Sequence, residues 1–557
     1  MLGHLSQGLY RTPAGAIKEL ISNAFDADAG LVRIHTDFPR FQSFSCEDTG
    51  SGMHRSEFDR LMHAGIGSSY KRADESAAIT KLGRPYIGRL GLGILALAQI
   101  CSQFDIISHH RATKTAFRAT IKFPAYTREE IDKIRRSEQD VVLGGLYQLH
   151  FTDFDDTKPG LRIFTVHLRE AFRKRMRSLT NFGNRRGKRN VPYETLDAFL
   201  DAVYGRKEPL KSLNLMSDYD QLLFGLALAA PLPLIPDRNI ATSLPAIEAR
   251  QAALKGYEFE IRVDNLLMAQ PVCLPSDQQR HTAAQCTVGK PELLAFTFED
   301  GAKFTDCAVS RRPIVVQSSD ERFNLYEFQY DSVVAGRRLA FAGYLFQQTG
   351  RLYPRDIQGV LIRINNVAIG KYDNSMLSYP YAEGPRYAMV SSELFVDAGF
   401  EDALNIDRDS FNELHAHYIR LQAYMHGFLH NIVFPETWTE EKGRNQARRV
   451  KARRTSDSNF MAAFEATTGE RFQALTSVAK QRKKVPVSAS AVHFAKKTRD
   501  IELDRSHPVL QAVLRRSRFA PLVERITIAF ERANVEPTAT KRRELFYRLL
   551  IEILKGA

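Results

Sequence analysis

AIKELISNAFDADAG, residues 16–30, spaces Glu19, Asn23 and Asp26 by four and then three positions. That spacing puts a carboxylate, an amide and a second carboxylate on one stripe of an α-helix. Ile17, Leu20, Ile21, Ala24 and Phe25 can hold such a helix down from its other sides. Alone, the stripe fits an ordinary amphipathic helix as well as it fits a magnesium-bound phosphate. Two further elements follow in the chain. CEDTGSGM sets Asp48, Gly50, Gly52 and Met53 behind the strand candidate FQSFS. YIGRLGLGILALAQI then sets Gly88, Gly91 and Gly93 at the opening of an apolar helix. Glycines let the backbone come close to a ligand, and a helix start offers free N–H groups to phosphate. A lone glycine cluster is a tight turn as readily as a site, and a lone Asp48 is a turn residue. The three elements in this order, within one domain's length, point to a single nucleotide pocket.

The residue types carry a chemistry of their own. A positioned carboxylate that activates water contributes about 10²–10⁴-fold to a hydrolysis. A buried Asp facing an amino group selects adenine, because a base lacking that donor leaves the carboxylate unpaired at about 1–3 kcal/mol. Magnesium prefers oxygen ligands and keeps waters, so one Asn beside phosphate oxygens is enough.

Together these motifs resemble the nucleotide site of the GHKL ATPases. That superfamily includes the ninety-kilodalton heat-shock chaperones of HtpG type, MutL-type repair proteins, MORC proteins, type II topoisomerase ATPase subunits and histidine kinases. The resemblance implies a Bergerat-fold domain that binds ATP and Mg2+. It implies Glu19 as general base, Asn23 as the magnesium ligand and Asp26 as a hydrogen-bonding support. It places Asp48 on the adenine amino group, with Gly50, Gly52 and Met53 beside the base. Gly88, Arg89, Leu90, Gly91, Leu92 and Gly93 would wrap the phosphates. The stretch between the last two motifs would be a lid, in which IGSSYK offers Lys71 to a phosphate. Glu19 stands where histidine kinases carry an Asn-type residue, so the chain resembles the hydrolases. Among those, ELISNAFDA and IGRLGLGILA are most similar to the chaperones.

A second similarity lies downstream. GVLIRINNVAIG, residues 359–370, reads as an alternating strand and a turn, and SSELFVDAGFEDALNIDRDSFNE follows at 391–413. Leu404-Asn405-Ile406-Asp407-Arg408-Asp409 resembles a chaperone middle-domain motif at a helix start. By that resemblance Arg408 would reach the γ-phosphate, with Asn412 assisting. An arginine suits the task because its planar fork pairs with phosphate oxygens and stays charged. It could equally make a surface pair with Asp407 or Asp409. The chain departs from the family near Gly160-Leu161, where a Gly-Thr pair is expected, and Thr165 is the nearest substitute.

These readings define an α+β, multidomain chain of 557 residues, for which length suggests about three to four domains. Residues 1–170 would be the ATP-binding domain, an α/β sandwich, and 171–250 a helical connector. Residues 251–435 would be a middle domain of ribosomal-S5-like fold, and 436–557 a basic, mainly helical region. No apolar run reaches about 18 residues, so no transmembrane helix and no membrane partner are expected. The opening residues lack a signal-peptide pattern. Five cysteines without Cys-x-x-Cys spacing fit a reducing cytoplasm better than a zinc site or disulfides. His109-His110 reads as an exposed turn.

The formal net charge is +14, and much of it falls in two runs, Arg444–Arg454 and Lys480–Lys484. Such runs are a solvated face or a phosphate-contacting surface. Two functions therefore stand side by side. One is a chaperone-like ATPase whose ATP-driven closure as a homodimer remodels a protein client. The other is an ATP-gated clamp of MutL or MORC type on DNA or RNA, of a kind used in repair or prokaryotic defence.

Overall fold

The structure is a computed structural model. It describes residues 13–63, 79–88, 93–123, 146–177, 193–204, 210–235, 240–270, 285–300, 303–317, 322–348, 350–400, 402–405, 409–435, 492–494 and 501–503. The chain forms two compact units, Met1–Pro435 and Glu436–Ala557.

Helix α1 (Pro13–Asp26) is the first described element of the first unit, with Pro13 at the start of its described residues, where a missing N–H costs little. Ile17, Leu20, Ile21 and Phe25 are buried as the sequence spacing requires. They lie on a sheet built from β1 (Leu31–His35), β2 (Phe44–Asp48), β3 (Cys101–His110), β4 (Thr115–Lys122), β5 (Leu146–Thr152), β6 (Leu161–Leu168), β7 (Glu260–Val263) and β8 (Leu266–Leu267). Their order is β5-β4-β3-β6-β2-β1-β7-β8. Every pairing is antiparallel except β1 with β7. The stretch assigned from sequence to a middle domain thus donates its first hairpin to the N-terminal sheet. Helix α2 (Arg55–His63) follows β2.

The apolar segment after Gly93 forms a 3-10 turn, Gly93–Gln99, and not the α-helix its composition suggests. The chain must enter β3 at Cys101, and Ile100 N already bonds Leu97 O at 2.9 Å. Tightening the helix to this pitch still buries Ile94, Leu97 and Ala98.

Helices α3 (Glu170–Arg177), α4 (Leu196–Tyr204), α5 (Asp218–Ala229) and α6 (Pro245–Gly256) form the connector. The Ser217 side chain caps α5 by accepting from Asp220 N, and Asp218 and Asp220 sit in its positive first turn. The helix stops at Ala230, just before Pro231.

The second sheet contains β9 (Cys286–Val288), β10 (Glu292–Asp300), β11 (Lys303–Val316), β12 (Arg322–Val334), β13 (Arg337–Gln347), β14 (Gly359–Ile364), β15 (Val367–Asp373) and β16 (Val390–Ala398). Its path is β10-β11-β12-β13-β16-β14-β15, with β9 also on β11, and only β14 and β16 run parallel. Helix α7 (Ala416–Phe428) covers one face, where Leu421, Tyr424 and Phe428 share a core with Phe296, Phe298 and Phe328. The region of α6 covers the other, with Leu244 and Ile247 packed in one cluster with Tyr344, Phe346 and Phe395. Three of its features bear on the site. Asn365 and Asn366 link β14 to β15 with φ of +50° and +66°, the backbone of a two-residue hairpin turn. Leu361, Val367, Ala368 and Tyr372 belong to the same core as α1, so the two sheets share apolar packing. Of the Leu404–Asp409 motif the described residues are Leu404, Asn405 and Asp409; Leu404 is bridged to Phe411, and α7 starts only at Ala416. Asn405 N bonds Ser410 O and Asn412 N bonds Ala403 O, non-helical pairings that precede α7.

Among the described residues no helix is long and apolar enough to cross a membrane. In the second unit the described elements are β17 (Val492–Phe494) and β18 (Ile501–Leu503), an antiparallel pair.

Candidate nucleotide site

Helix α1 brings Glu19 and Asn23 onto the face that meets Gly93. A Cβ at Gly93 would lie 3.0 Å from both Asn23 Nδ2 and Glu19 Oε2. The start of the 3-10 turn therefore rests directly on the two side chains, a packing that glycine alone leaves unforced. Glu19 is buried, with 3% exposure, while Asn23 stays partly open.

Asp26, one turn further on, grips the entry to the glycine-rich loop. Its two carboxylate oxygens accept from Ile87 N and Gly88 N, each at 2.7 Å. Arg84 closes the end of the helix. Its guanidinium donates to the carbonyls of Phe25 (3.3 Å), Ala29 (2.7 Å) and Tyr257 (2.6 Å), and lies over the rings of Phe25 and Phe259. A cation there meets the negative end of the helix dipole. Burial pulls the pKa of Arg84 down, partly countered by Asp28.

Asp48 ends β2 and is buried. Its Oδ1 accepts from Gly50 N at 2.8 Å. Gly52 holds φ +73°, and a Cβ there would fall 2.3 Å from His109 O, so only glycine fits the turn. Met53 is tied in place through Ser108, whose hydroxyl accepts from Met53 N and donates to Met53 O. His109 is buried at the end of β3 and accepts from Asp155 N at 3.2 Å, so it is a packed strand residue and not an exposed turn. Gly160 sits against the same turn, since a Cβ would lie 2.1 Å from Gly50 O. Thr165 is already committed, donating to Gln103 O and accepting from His167 N.

Burial pushes the Asp48 carboxyl up to about 7, against opposing effects of the Gly50 N–H, the Arg111 charge and a Leu161 backbone bond. A folded pKa above the unfolded value gives stability that is complete below about 4 and lost as pH rises through about 7. Ionised Asp48 thus burdens the ligand-free fold at alkaline pH. Asp48→Asn is expected to raise the Tm of the ligand-free protein at pH 8, by a free energy on the order of 2–4 kcal/mol. The gain should shrink markedly at pH 5 and vanish only below about pH 4, and an equal gain at pH 8 and pH 5 would remove titration of Asp48 as its cause.

The donor set suits a magnesium nucleotide: an open amide beside a carboxylate, a glycine contact above them, and backbone N–H groups at a turn. Among the described residues no cluster of His, Cys, Asp and Glu offers a cation an all-protein cage. Arg89, Leu90, Gly91, Leu92, Arg408, and residues 64–78 of the lid stretch, Lys71 among them, lie outside the described residues.

Several residues that shape the site carried no sequence signal of their own. Lys18, next to Glu19, pairs with Asp409 of the second sheet's loop, Nζ to Oδ1 at 2.9 Å. Asn365 donates to Tyr86 O at 2.9 Å, and Arg84 is the clasp described above. The Asn365-Asn366 pair between two strands announces a turn, and nothing more.

Residues 10–143 match the family described as histidine kinase-, DNA gyrase B-, and HSP90-like ATPase. The N-terminal part of the chain is thus a GHKL-type ATPase domain. A protein of Herpetosiphon aurantiacus assigned as type II restriction enzyme HgiDII is 35% identical over 111 residues. That match spans 19% of this chain and 16% of the relative. The crystal structure of the N-terminal domain of a DNA repair protein overlays on 78% of this chain and 98% of its own, at 11% identity and a TM-score of 0.34. An overlay that loose assigns neither fold nor function.

Proposed function

We infer that this protein is a magnesium-dependent ATPase whose nucleotide cycle drives a transaction on nucleic acid. The observation that carries the ATPase reading is the contact of Gly93 with both Glu19 and Asn23; Asp48, buried at the end of β2, would select adenine. Glu19 would take the proton from the attacking water as its oxygen bonds to the γ-phosphorus and ADP leaves. Bound magnesium, held through Asn23 and phosphate oxygens, would supply charge neutralisation. The backbone from Gly88 to Gly93 would carry the phosphates, and Arg408 and Lys71 would add positive charge.

The nucleic-acid half of the reading is supported by the assignment of the Herpetosiphon relative and by the charge of this chain. Nothing in the basic runs resembles base-specific readout, so contacts would go to backbone phosphate and weaken with salt. The comparisons do not single out the heat-shock chaperones, and a protein client has no observation of its own behind it. A homodimer that closes on ATP fits the clamp reading.

Binding should also follow Asp48. An amino group donating to its carboxylate favours the ionised form, so a proton competes with adenine. Affinity for adenine nucleotides is expected to rise about tenfold between pH 6 and pH 8, the span of one proton released around a pKa near 7. A flat profile by calorimetry would sink the role of Asp48.

The deciding experiment is steady-state ATP hydrolysis with and without double-stranded DNA at low and moderate salt. Stimulation by DNA that fades with salt is the expected result. Hydrolysis indifferent to DNA and RNA at every salt would overturn the nucleic-acid half and return the search to protein partners.

A further inference from the structure

The peptide unit joining Tyr86 to Ile87 is held from two sides. Its N–H, on Ile87, donates to Asp26 Oδ1, and the next amide, on Gly88, donates to Asp26 Oδ2. Its carbonyl, on Tyr86, accepts from Asn365 Nδ2 at 2.9 Å. Asp26 belongs to α1, whereas Asn365 lies 279 residues beyond Tyr86 in the chain, at the tip of the β14–β15 hairpin. A hairpin turn asks only for a residue that tolerates positive φ, and Gly or Asp would serve. The amide side chain that reaches Tyr86 is extra to the needs of the turn.

A second contact fixes the same two bodies. Lys18 Nζ meets Asp409 Oδ1 with both side chains largely shielded, at 6% and 19% exposure. The Asp409 carbonyl lies against β15, where a Cβ on Gly370 would come within 2.6 Å of it. Leu361, Val367, Ala368 and Tyr372 complete the contact with apolar surface shared with α1. The hairpin tip is therefore carried on a rigid mount and aimed at the loop entry.

We propose that Asn365 is a positioning residue through which the second sheet orients the entry of the glycine-rich loop for turnover. Asp26 alone fixes one edge of the Tyr86–Ile87 peptide and leaves its plane free to rock. Asn365 fixes the opposite edge, and so sets the direction of the backbone that runs on through Gly88. The consequence for turnover rests on the ATPase reading above; the grip itself does not. Loop alignment matters most where charge moves in the transition state, so the effect belongs in kcat more than in nucleotide affinity.

Asn365→Gly is the informative variant in the full-length chain, because glycine keeps the positive φ and removes only the amide. Asn365→Asp is its companion, keeping size and turn preference while replacing the donor with an acceptor facing a carbonyl. Two quantities are read: hydrogen exchange of the Ile87 and Gly88 amides without nucleotide, and kcat set against ADP affinity. Loss of one such hydrogen bond predicts faster exchange, a fall in kcat of about fivefold to tenfold, and ADP affinity changed by less than about twofold. Unchanged exchange in both variants overturns the grip. Faster exchange with parental kcat overturns its role in turnover. If the parent neither binds nor hydrolyses ATP, the reading of the site falls, and the exchange arm still decides whether Asn365 holds the peptide.

Discussion

Glu19→Gln is expected to cut ATP turnover by about 10²–10⁴-fold while leaving nucleotide binding close to that of the parent. Glu19 is the one carboxylate that the Gly93 contact sets beside Asn23, with its Oε2 next to the position a Cβ would take. Glutamine has the same shape, so the buried packing of α1 beneath the 3-10 turn should survive, and the Tm should move little. What is lost is the ability to take a proton from water. Asp48 and Asn23 remain, so adenine and magnesium should still be held. The check is single-turnover hydrolysis beside calorimetric binding of a non-hydrolysed ATP analogue. Turnover within a few-fold of the parent would remove Glu19 as the base. Loss of binding along with turnover would show that it holds the nucleotide instead.

The sequence made some of this legible and hid the rest for identifiable reasons. The α1 stripe is a local pattern, and its spacing alone places Glu19, Asn23 and Asp26 on neighbouring turns. Gly50 and Gly52 are likewise visible, because each marks a close backbone approach that tolerates no side chain, and Gly93 because it rests tightly on the Glu19 and Asn23 side chains. Long-range partners left no such trace. Lys18 and Asp409 are 391 residues apart, and Asn365 and Tyr86 are 279 apart. No periodicity connects residues so distant. The same limit hid the parallel pairing of β7 with β1, which moves Glu260–Leu267 into the N-terminal sheet. The burial of Asp48 was expected from chemistry, but its titration near neutral pH depends on desolvation that only the packed turn reveals. The apolar residues after Gly93 satisfy both an α-helix and a 3-10 helix, and the approach to β3 decides between them.

Strand β14 taught the opposite lesson. GVLIRI alternates, yet Gly359 to Arg363 are all buried, because the sheet is covered on both faces. Arg363 therefore sits where alternation alone would leave it in solvent. Its guanidinium donates through Nε to Glu393 Oε2, and both side chains have no exposure. Glu393 Oε1 accepts from Tyr344 OH and Tyr372 OH, each at 3.0 Å. Arg363 also reaches Asn366 O, in the turn that carries Asn365. One carboxylate thus stitches β13, β16, β14 and β15 together under the hairpin that touches Tyr86.

Removing that carboxylate should have the largest effect on stability of any single change considered. Glu393→Gln keeps the volume and leaves Arg363 charged at a position with no solvent exposure. Breaking a buried pair in this way costs about 3–5 kcal/mol, because the remaining charge is uncompensated. Replacing the pair is a different matter. The double variant Arg363→Met with Glu393→Leu removes both charges, and should recover most of that loss or exceed the parent, as apolar replacements of buried pairs often do. Tyr344 and Tyr372 would then lose their acceptor, which sets the recovery below what two apolar residues alone would give. Denaturant unfolding of the parent, the single variant and the double variant measures all three. If Glu393→Gln unfolds within about 1 kcal/mol of the parent, the guanidinium is reached by water and the pair is not the buried clasp its geometry describes. If the single variant is destabilised and the double variant no better, the apolar walls around the pair cannot close over the vacated space. The hairpin's hold on Tyr86 would then depend on this ion pair specifically, and the double variant should show the same faster exchange at Ile87 as Asn365→Gly.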